Sequence, residues 1–413
     1  MRYKSLMLLS LIIALILQLQ LSACGGGGGG GAAPGIPRLM IQPDDGRAPI
    51  LAAIDGAMNN IRLTIYEITD LKAVSQNPAA PDDSIVQALI NKARKGVSVQ
   101  VIVDHNQYWS GSSSPQVKQT VEALRDAGAI VHISSTAFCF THQKTFVIDG
   151  PTATYSGFFG TAIIMSLNLI PNYFVNTRDY AVITSNPGIV QEVSRVFDSD
   201  FTLINPPTAC VATPDPKMTS PPPYASDTPF VSENDLLWSP VNSKEKLLQL
   251  MGSVKKSLVL TTEELTDTDM VCRIQEVAQS PSKPTVRILL SDDTGSSASA
   301  VKTLLDLGLS NLSIRVMPGQ PPPADDPTHQ TPLYMHGKQV IADGEQAFIG
   351  SENLTNTSLI QNRELGILIT DQAMVARLQS VFESDFTTPN HSLAAKACTE
   401  GKGCSKIPCP KTL

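Results

Sequence analysis

Two short stretches carry the residues best suited to chemistry. The stretch "THQKTFVIDG", Thr141 to Gly150, reads as a buried strand except that it holds an imidazole at His142 and an ammonium at Lys144. A second stretch, "YMHGKQVIADG", repeats the arrangement at His336, Lys338 and Asp343. Alternate residues of a strand share a face, so each stretch sets a histidine and a lysine side by side as one cationic spot. Four residues separate Lys144 from Asp149, and four separate Lys338 from Asp343. Two such spots suit the cleavage of a phosphodiester. A neutral imidazole attacks phosphorus and an imidazolium protonates the leaving oxygen, a division of roles within easy reach of a group that titrates near about 6.5.

The repeat extends beyond these stretches, and a repeat bears on any fold that is proposed. The segment Asn168–Phe201 aligns without a gap to Asn353–Phe386, and "YEITD" (Tyr66–Asp70) echoes "EELTD" (Glu263–Asp267). This alignment sets the register of the first copy. Gly350, Ser351 and Asn353 follow Asp343 closely, whereas their counterparts Met165, Ser166 and Asn168 lie beyond a loop nine residues longer. Eleven residues after each asparagine stands an acid, Asp179 or Glu364, preceded by Arg178 or Arg363. The lysines are suited to balance charge on phosphoryl oxygens, and Ser166, Asn168, Ser351 and Asn353 to donate hydrogen bonds as that charge builds. Asp149 and Asp343, at strand ends, read as supporting residues. The arginines fit a surface ion pair or a phosphate contact equally well.

On these residues the chain resembles the phospholipase D superfamily, whose H-x-K-x4-D, G-S-x-N signature is met twice between Ile50 and Phe386. The resemblance implies His142 as nucleophile, forming a phosphohistidine, and His336 as general acid and later base, with the reverse assignment open. It also implies that Asp179 and Glu364 each hold a histidine ring, Asp179 reaching one methylene less far toward His142. Met165, in place of glycine, is expected to narrow the pocket. Neither a cofactor nor a metal is required. The expected substrate is a phospholipid, hydrolysed or transferred as a phosphatidyl group to an alcohol. An exported metal-independent nuclease and a non-catalytic phosphate-binding module are the alternatives.

At 413 residues, 42% of them apolar, the chain suits two domains with substantial cores. A net charge of -7 and the lack of a basic run with interleaved aromatics argue against a nucleic-acid groove, so an anionic substrate has to be held locally. Residues 1–23 have the layout of an export signal, with a basic start, an apolar stretch from Leu6 to Leu21 and small residues before Cys24. "LSAC" resembles a bacterial lipobox, which implies lipid on Cys24, and Gly25–Gly31 begin a flexible tether running to residue 47. The expected location is the periplasmic face of an envelope membrane, with lipid substrates within reach. Six further cysteines, an even number in an exported chain, favour disulfides. Cys398, Cys404 and Cys409 lack zinc-site spacing and read as staples for the tail, residues 389–413; pairing of Cys139 would anchor the approach to His142.

Helical and strand patterns alternate through residues 48–204 and again through 230–388, with a proline-rich link at 205–229. This predicts an α/β protein of two tandem α-β-α domains with mostly parallel mixed sheets. Packed about a pseudo-twofold axis, the halves would bring both H-x-K strands to one cleft in a monomer that behaves as an internal dimer. A second proline-rich run, "PGQPPPADDP", is placed to line the mouth of that cleft.

Overall fold

Short aliphatic and β-branched runs build one sheet in each half. The structure, a computed structural model, describes residues 37–71, 84–152, 154–155, 160–203, 235–291, 295–317, 333–388, 392–393 and 406–409. In the first half lie β1 (Arg38–Gln42), β2 (Asn60–Ile65), β3 (Ser98–Val103), β4 (Ile130–Ile133), β5 (Thr145–Ile148), β6 (Thr161–Met165) and β7 (Thr177–Thr184). The second half holds β8 (Leu236–Ser239), β9 (Ser257–Thr262), β10 (Thr285–Leu290), β11 (Leu312–Val316), β12 (Tyr334–Met335), β13 (Lys338–Ala342), β14 (Gln346–Gly350), β15 (Glu364–Ile369) and β16 (Ser392–Leu393). The strand orders are β1-β7-β6-β5-β2-β3-β4 and β16-β11-β10-β9-β13-β14-β15-β8. The strand next to each H-x-K pair, β5 from Thr145 and β13 from Lys338 itself, therefore holds the same place in its own sheet.

The two mixed α/β sheets agree with the sequence, but the parallel share is smaller than expected. Along these orders β2, β3 and β4, and likewise β9, β10 and β11, run parallel, joined by helical crossovers, and β12 adds a short parallel pairing to β7. The remaining pairings are antiparallel, as between β5 and β6 or β13 and β14, whose connections contain no crossover helix. Met165 and Lys144 are joined backbone to backbone, and Gly350 pairs with Lys338, so the two hairpins share the register that the repeat sets.

Three apolar clusters hold the layers. One lies under the helices of the first half, around Leu63, Val101 and Phe146, and a second is its counterpart around Leu260, Ile288 and Phe348. The third joins the halves, because the opposite faces of both sheets close on helices Pro187–Phe201 and Gln372–Thr387. Val147, Ile164 and Val193 meet Trp238, Ile341 and Phe382 there, and each such side chain, fully buried, is worth roughly 1.5–3 kcal/mol relative to exposure. Trp238 also donates its indole N–H to Glu192 of the first half at 2.9 Å.

Repeated aspartates tie strands to their neighbours. Asp149 and Asp343 adopt left-handed backbone, with φ of 49° and 56°. Asp149 accepts the backbone N–H groups of Met58, Asn59 and Asn60 at 2.9, 2.6 and 3.0 Å, and Asp343 accepts those of Lys255, Lys256 and Ser257 at 2.9, 2.7 and 2.9 Å. The aspartates that end "YEITD" and "EELTD" act at helix starts. Asp267 accepts from Met270 N at 3.1 Å, and Asp70 from Ile85 N at 2.8 Å.

A disulfide joins Cys272 to Cys409 and fastens the tail to the second half, where Ile407 N also donates to Thr303. Cys139 is disulfide-bonded as well. The export signal, Cys24, most of the tether, the 205–229 link and the second proline-rich run lie outside the described residues. Among the described residues no helix is long and apolar enough to cross a membrane.

Candidate active site

Both histidines sit just ahead of the strands that were expected to carry them. The first begins at Thr145, beyond His142, and the second at Lys338, beyond His336. The preceding residues leave their own sheet to pair with the other half. Gln143 N donates to Arg363 O at 2.9 Å, Gly337 N donates to Arg178 O at 2.7 Å, and β12 runs parallel to β7. Glycine is needed at 337, because a Cβ there would lie 2.5 Å from the Tyr180 ring.

This crossed pairing decides which acid meets which histidine. His142 Nδ1 lies 2.8 Å from Glu364 Oε2, and His336 Nδ1 lies 2.8 Å from Asp179 Oδ1. The expectation that Asp179 reaches toward His142 is therefore corrected: each acid serves the ring of the other half. Asp179 is held by the Ser166 and Thr177 hydroxyls, both at 2.6 Å, and Glu364 by Ser358 at 2.7 Å and Asn362 at 3.0 Å. A carboxylate only accepts, so Nδ1 carries the proton and, in a neutral ring, Nε2 keeps the lone pair. Burial pushes His142 down to about 4 against the upward pull of Glu364. Its ring is neutral at pH 7. Burial pushes Glu364 up, but His142 and then Lys144 more than reverse this and leave it below its ordinary range.

His142 and His336 line one cavity of ≈ 540 Å³ together with Asn168, Asn353, Tyr66 and Tyr173. The Tyr66 ring stands edge-on to His142 with centroids 4.6 Å apart, and Tyr173 does the same for His336 at 4.8 Å. Lys144 Nζ donates to His142 O at 2.5 Å and stands 5.1 Å from the Tyr66 centroid; burial pushes it down to about 7, partly offset by Glu364. Lys338 Nζ donates to His336 O and, at 3.0 Å, to Glu263.

Other expected contributors stand elsewhere. Ser166 and Ser351 are fully buried, Ser166 donating to Asp179 and Ser351 accepting from Leu365 N at 3.1 Å. Met165 packs into the first core and does not line the cavity. It pairs with Ala181, whereas Gly350 pairs with Gly366, and a Cβ on either glycine would fall within 3 Å of the buried Glu352 carboxyl. Leu167 replaces Glu352 in the first half, so Met-Ala-Leu and Gly-Gly-Glu fill equivalent space. Neither arginine lines the cavity. Arg178 grips Asp385 at 2.7 and 3.0 Å and Arg363 meets Asp200 at 2.8 Å, buried links from each half to the last helix of the other.

Residue types alone did not single out Tyr66, Tyr173 or Glu263. The available signal was the repeated strand end, "YEITD" against "EELTD", which puts Tyr66 and Glu263 at equivalent places. Among the described residues no group of three or more His, Cys, Asp or Glu could hold a metal ion. A larger surface groove of ≈ 760 Å³, lined by Leu248, Leu359 and Arg273, contains none of the paired groups.

Among solved structures, the chain resembles phosphatidylserine synthase from Haemophilus influenzae Rd KW20 with a TM-score of 0.58 and 13% identity, over 87% of each chain. It resembles polyphosphate kinase from Porphyromonas gingivalis with a TM-score of 0.56 and 15% identity, over 89% of this chain but only 51% of the kinase, about half its length. Such likeness speaks to the fold. Among curated proteins no sequence matches. The family described as "Cardiolipin synthase, PLD-like domain" matches residues 50–201 and 247–386, one copy in each half. The chain belongs to that family, and so to the phospholipase D superfamily.

Proposed function

We propose that the protein is a phosphodiesterase of the phospholipase D type that cleaves phospholipids, or passes the phosphatidyl group to an alcohol, through a phosphohistidine. The observation that carries this reading is the meeting of His142 and His336 in one cavity, each oriented by an acid of the other half. His142, neutral and with its Nδ1 proton held by Glu364, attacks phosphorus through Nε2. The bond to the leaving oxygen breaks, and His336 supplies the proton from Nε2. His336 then takes a proton from water or an alcohol as that oxygen attacks phosphorus and the P–N bond breaks. Both N–H groups of an imidazolium at 336 find carboxylates, Asp179 at 2.8 Å and Glu263 at 3.7 Å.

The family description names a phospholipid-forming enzyme, which supports lipid over polynucleotide. The acidic net charge does the same. Lipid on Cys24 would hold the protein at an envelope membrane, as a monomer whose halves form the site. The test is to supply labelled phospholipid and single-stranded DNA to protein lacking the tether, in the presence of chelator, and to look for label on His142 after brief exposure. Headgroup release with label on His142 is expected. DNA cleavage with intact lipid makes the protein a nuclease, and activity toward neither leaves phosphate binding as its role.

A further inference from the structure

Glu263 stands in the cavity beside the acid His336, and the bond changes above take nothing from it. Its Oε2 lies 3.0 Å from Lys338 Nζ, 3.2 Å from Asn353 Nδ2 and 3.7 Å from His336 Nε2, while Oε1 accepts the Tyr334 hydroxyl at 2.6 Å. Those three nitrogens are the donors that the second half offers a phosphoryl oxygen. A carboxylate oxygen already occupies the space among them. Burial pushes this carboxyl up, but Lys338 and then His336 outweigh burial and hold it well below the usual carboxylate range. It is an anion at any physiological pH. At the equivalent place the first half has Tyr66, whose ring faces Lys144. Two more acids, Glu67 and Glu264, line the same cavity.

We propose that Glu263 is a specificity-determining residue: its carboxylate holds the position of a phosphoryl oxygen in the second half-site and makes the cavity accept singly charged phosphodiesters while rejecting doubly charged phosphomonoesters. The inference rests on reading the cavity as a phosphodiester site. Lys338 is matched by Glu263, so the lysine left to meet an incoming anion is Lys144, whose proton the bound anion itself holds in place above the range of the empty site. One negative charge is met; a second confronts Glu263. A monoester takes its second charge near about pH 6, so a phosphomonoester product is expelled once it is formed and ionised.

Calorimetric titration of glycerol phosphate into the full chain and into Glu263→Gln, at about pH 5 and about pH 8, tests this without requiring turnover. At about pH 8 the variant is expected to bind the monoester about tenfold tighter or more, with a smaller ratio at about pH 5, and to gain little toward singly charged dibutyl phosphate. Glu263→Tyr, which copies the first half, should behave in the same way. That variant separates charge from the lost hydrogen bonds. Equal monoester affinity at about pH 8 in wild type and both variants, including no measurable binding by any, overturns the inference. Tighter monoester binding by the variants without phosphodiesterase activity in the wild type defeats the functional reading alone. Activity with unchanged monoester affinity defeats this inference alone.

Discussion

Where the first half carries Tyr66, the second carries Glu263, and their neighbours differ in step. Phe140 packs edge-on to Tyr66 with centroids 6.1 Å apart, whereas Tyr334, two residues before His336 as Phe140 is before His142, donates its hydroxyl to Glu263. The first half-site is thus walled by rings and the second by a charged network. Lys144 loses affinity for its proton through burial beside an aromatic face, and Lys338 has a carboxylate within hydrogen-bond reach. Duplication has kept the positions of the histidines, lysines and asparagines while their surroundings diverged. Two copies of one motif can then take opposite roles in proton transfer, because a reaction that needs one base and one acid gains nothing from an exactly symmetric pair.

The sharpest way to break that comparison is to remove each histidine. His142→Ala should lower turnover by about 10⁴-fold or more and abolish labelled phosphoenzyme. His336→Ala should cost about 10²–10⁴-fold on an alkyl ester but far less on a nitrophenyl ester, whose leaving group needs no proton. Equal rescue of both variants would erase the distinction between the halves. Next in size are the crossed ion pairs, which are near-equivalent where the half-sites are not. Arg178→Ala or Arg363→Ala should destabilise the fold by about 3–5 kcal/mol in denaturant unfolding, and joint replacement of a pair by apolar residues should recover much of that. A large difference between the two would show that the interface is not balanced.

The tail fastens the second half through its disulfide, so Cys409→Ser should lower stability by about 2–4 kcal/mol, seen as a lower melting temperature, with turnover unchanged. The smallest effects are in the pH profile. Activity should fall about tenfold per unit as pH drops through about 4, where His142 gains a proton, and should also fall as pH rises through about 7, where Lys144 loses one. Lys144→Arg should move the alkaline limb upward and leave the acid limb in place.

Much of this arrangement was legible in the residues. The periodicity of the strands, the gapless repeat and the doubled H-x-K motif point to two α/β halves, whereas the backbone partners of Asp149 and Asp343 lie on segments far away in the chain and were not legible. The parallel content was overstated, since alternating helix and strand patterns say little about strands joined without a crossover helix. Ser166 and Ser351 were assigned by type to a developing charge, yet both are sealed behind the strand, because a side chain on a strand can face either the cavity or the core and a motif does not say which.

The sequence by itself determined which side chains are available and that they come in two sets, since spacing along a chain dictates faces of strands and caps of helices. Only the tertiary structure decided that Glu364 serves His142 and Asp179 serves His336, that Arg178 and Arg363 clamp the halves together, and that Glu263 stands among the donors of one half-site. Those partners lie far apart in the chain, and they meet because the residues ahead of each motif strand find their hydrogen bonds at the start of β7 or just ahead of β15, in the other half.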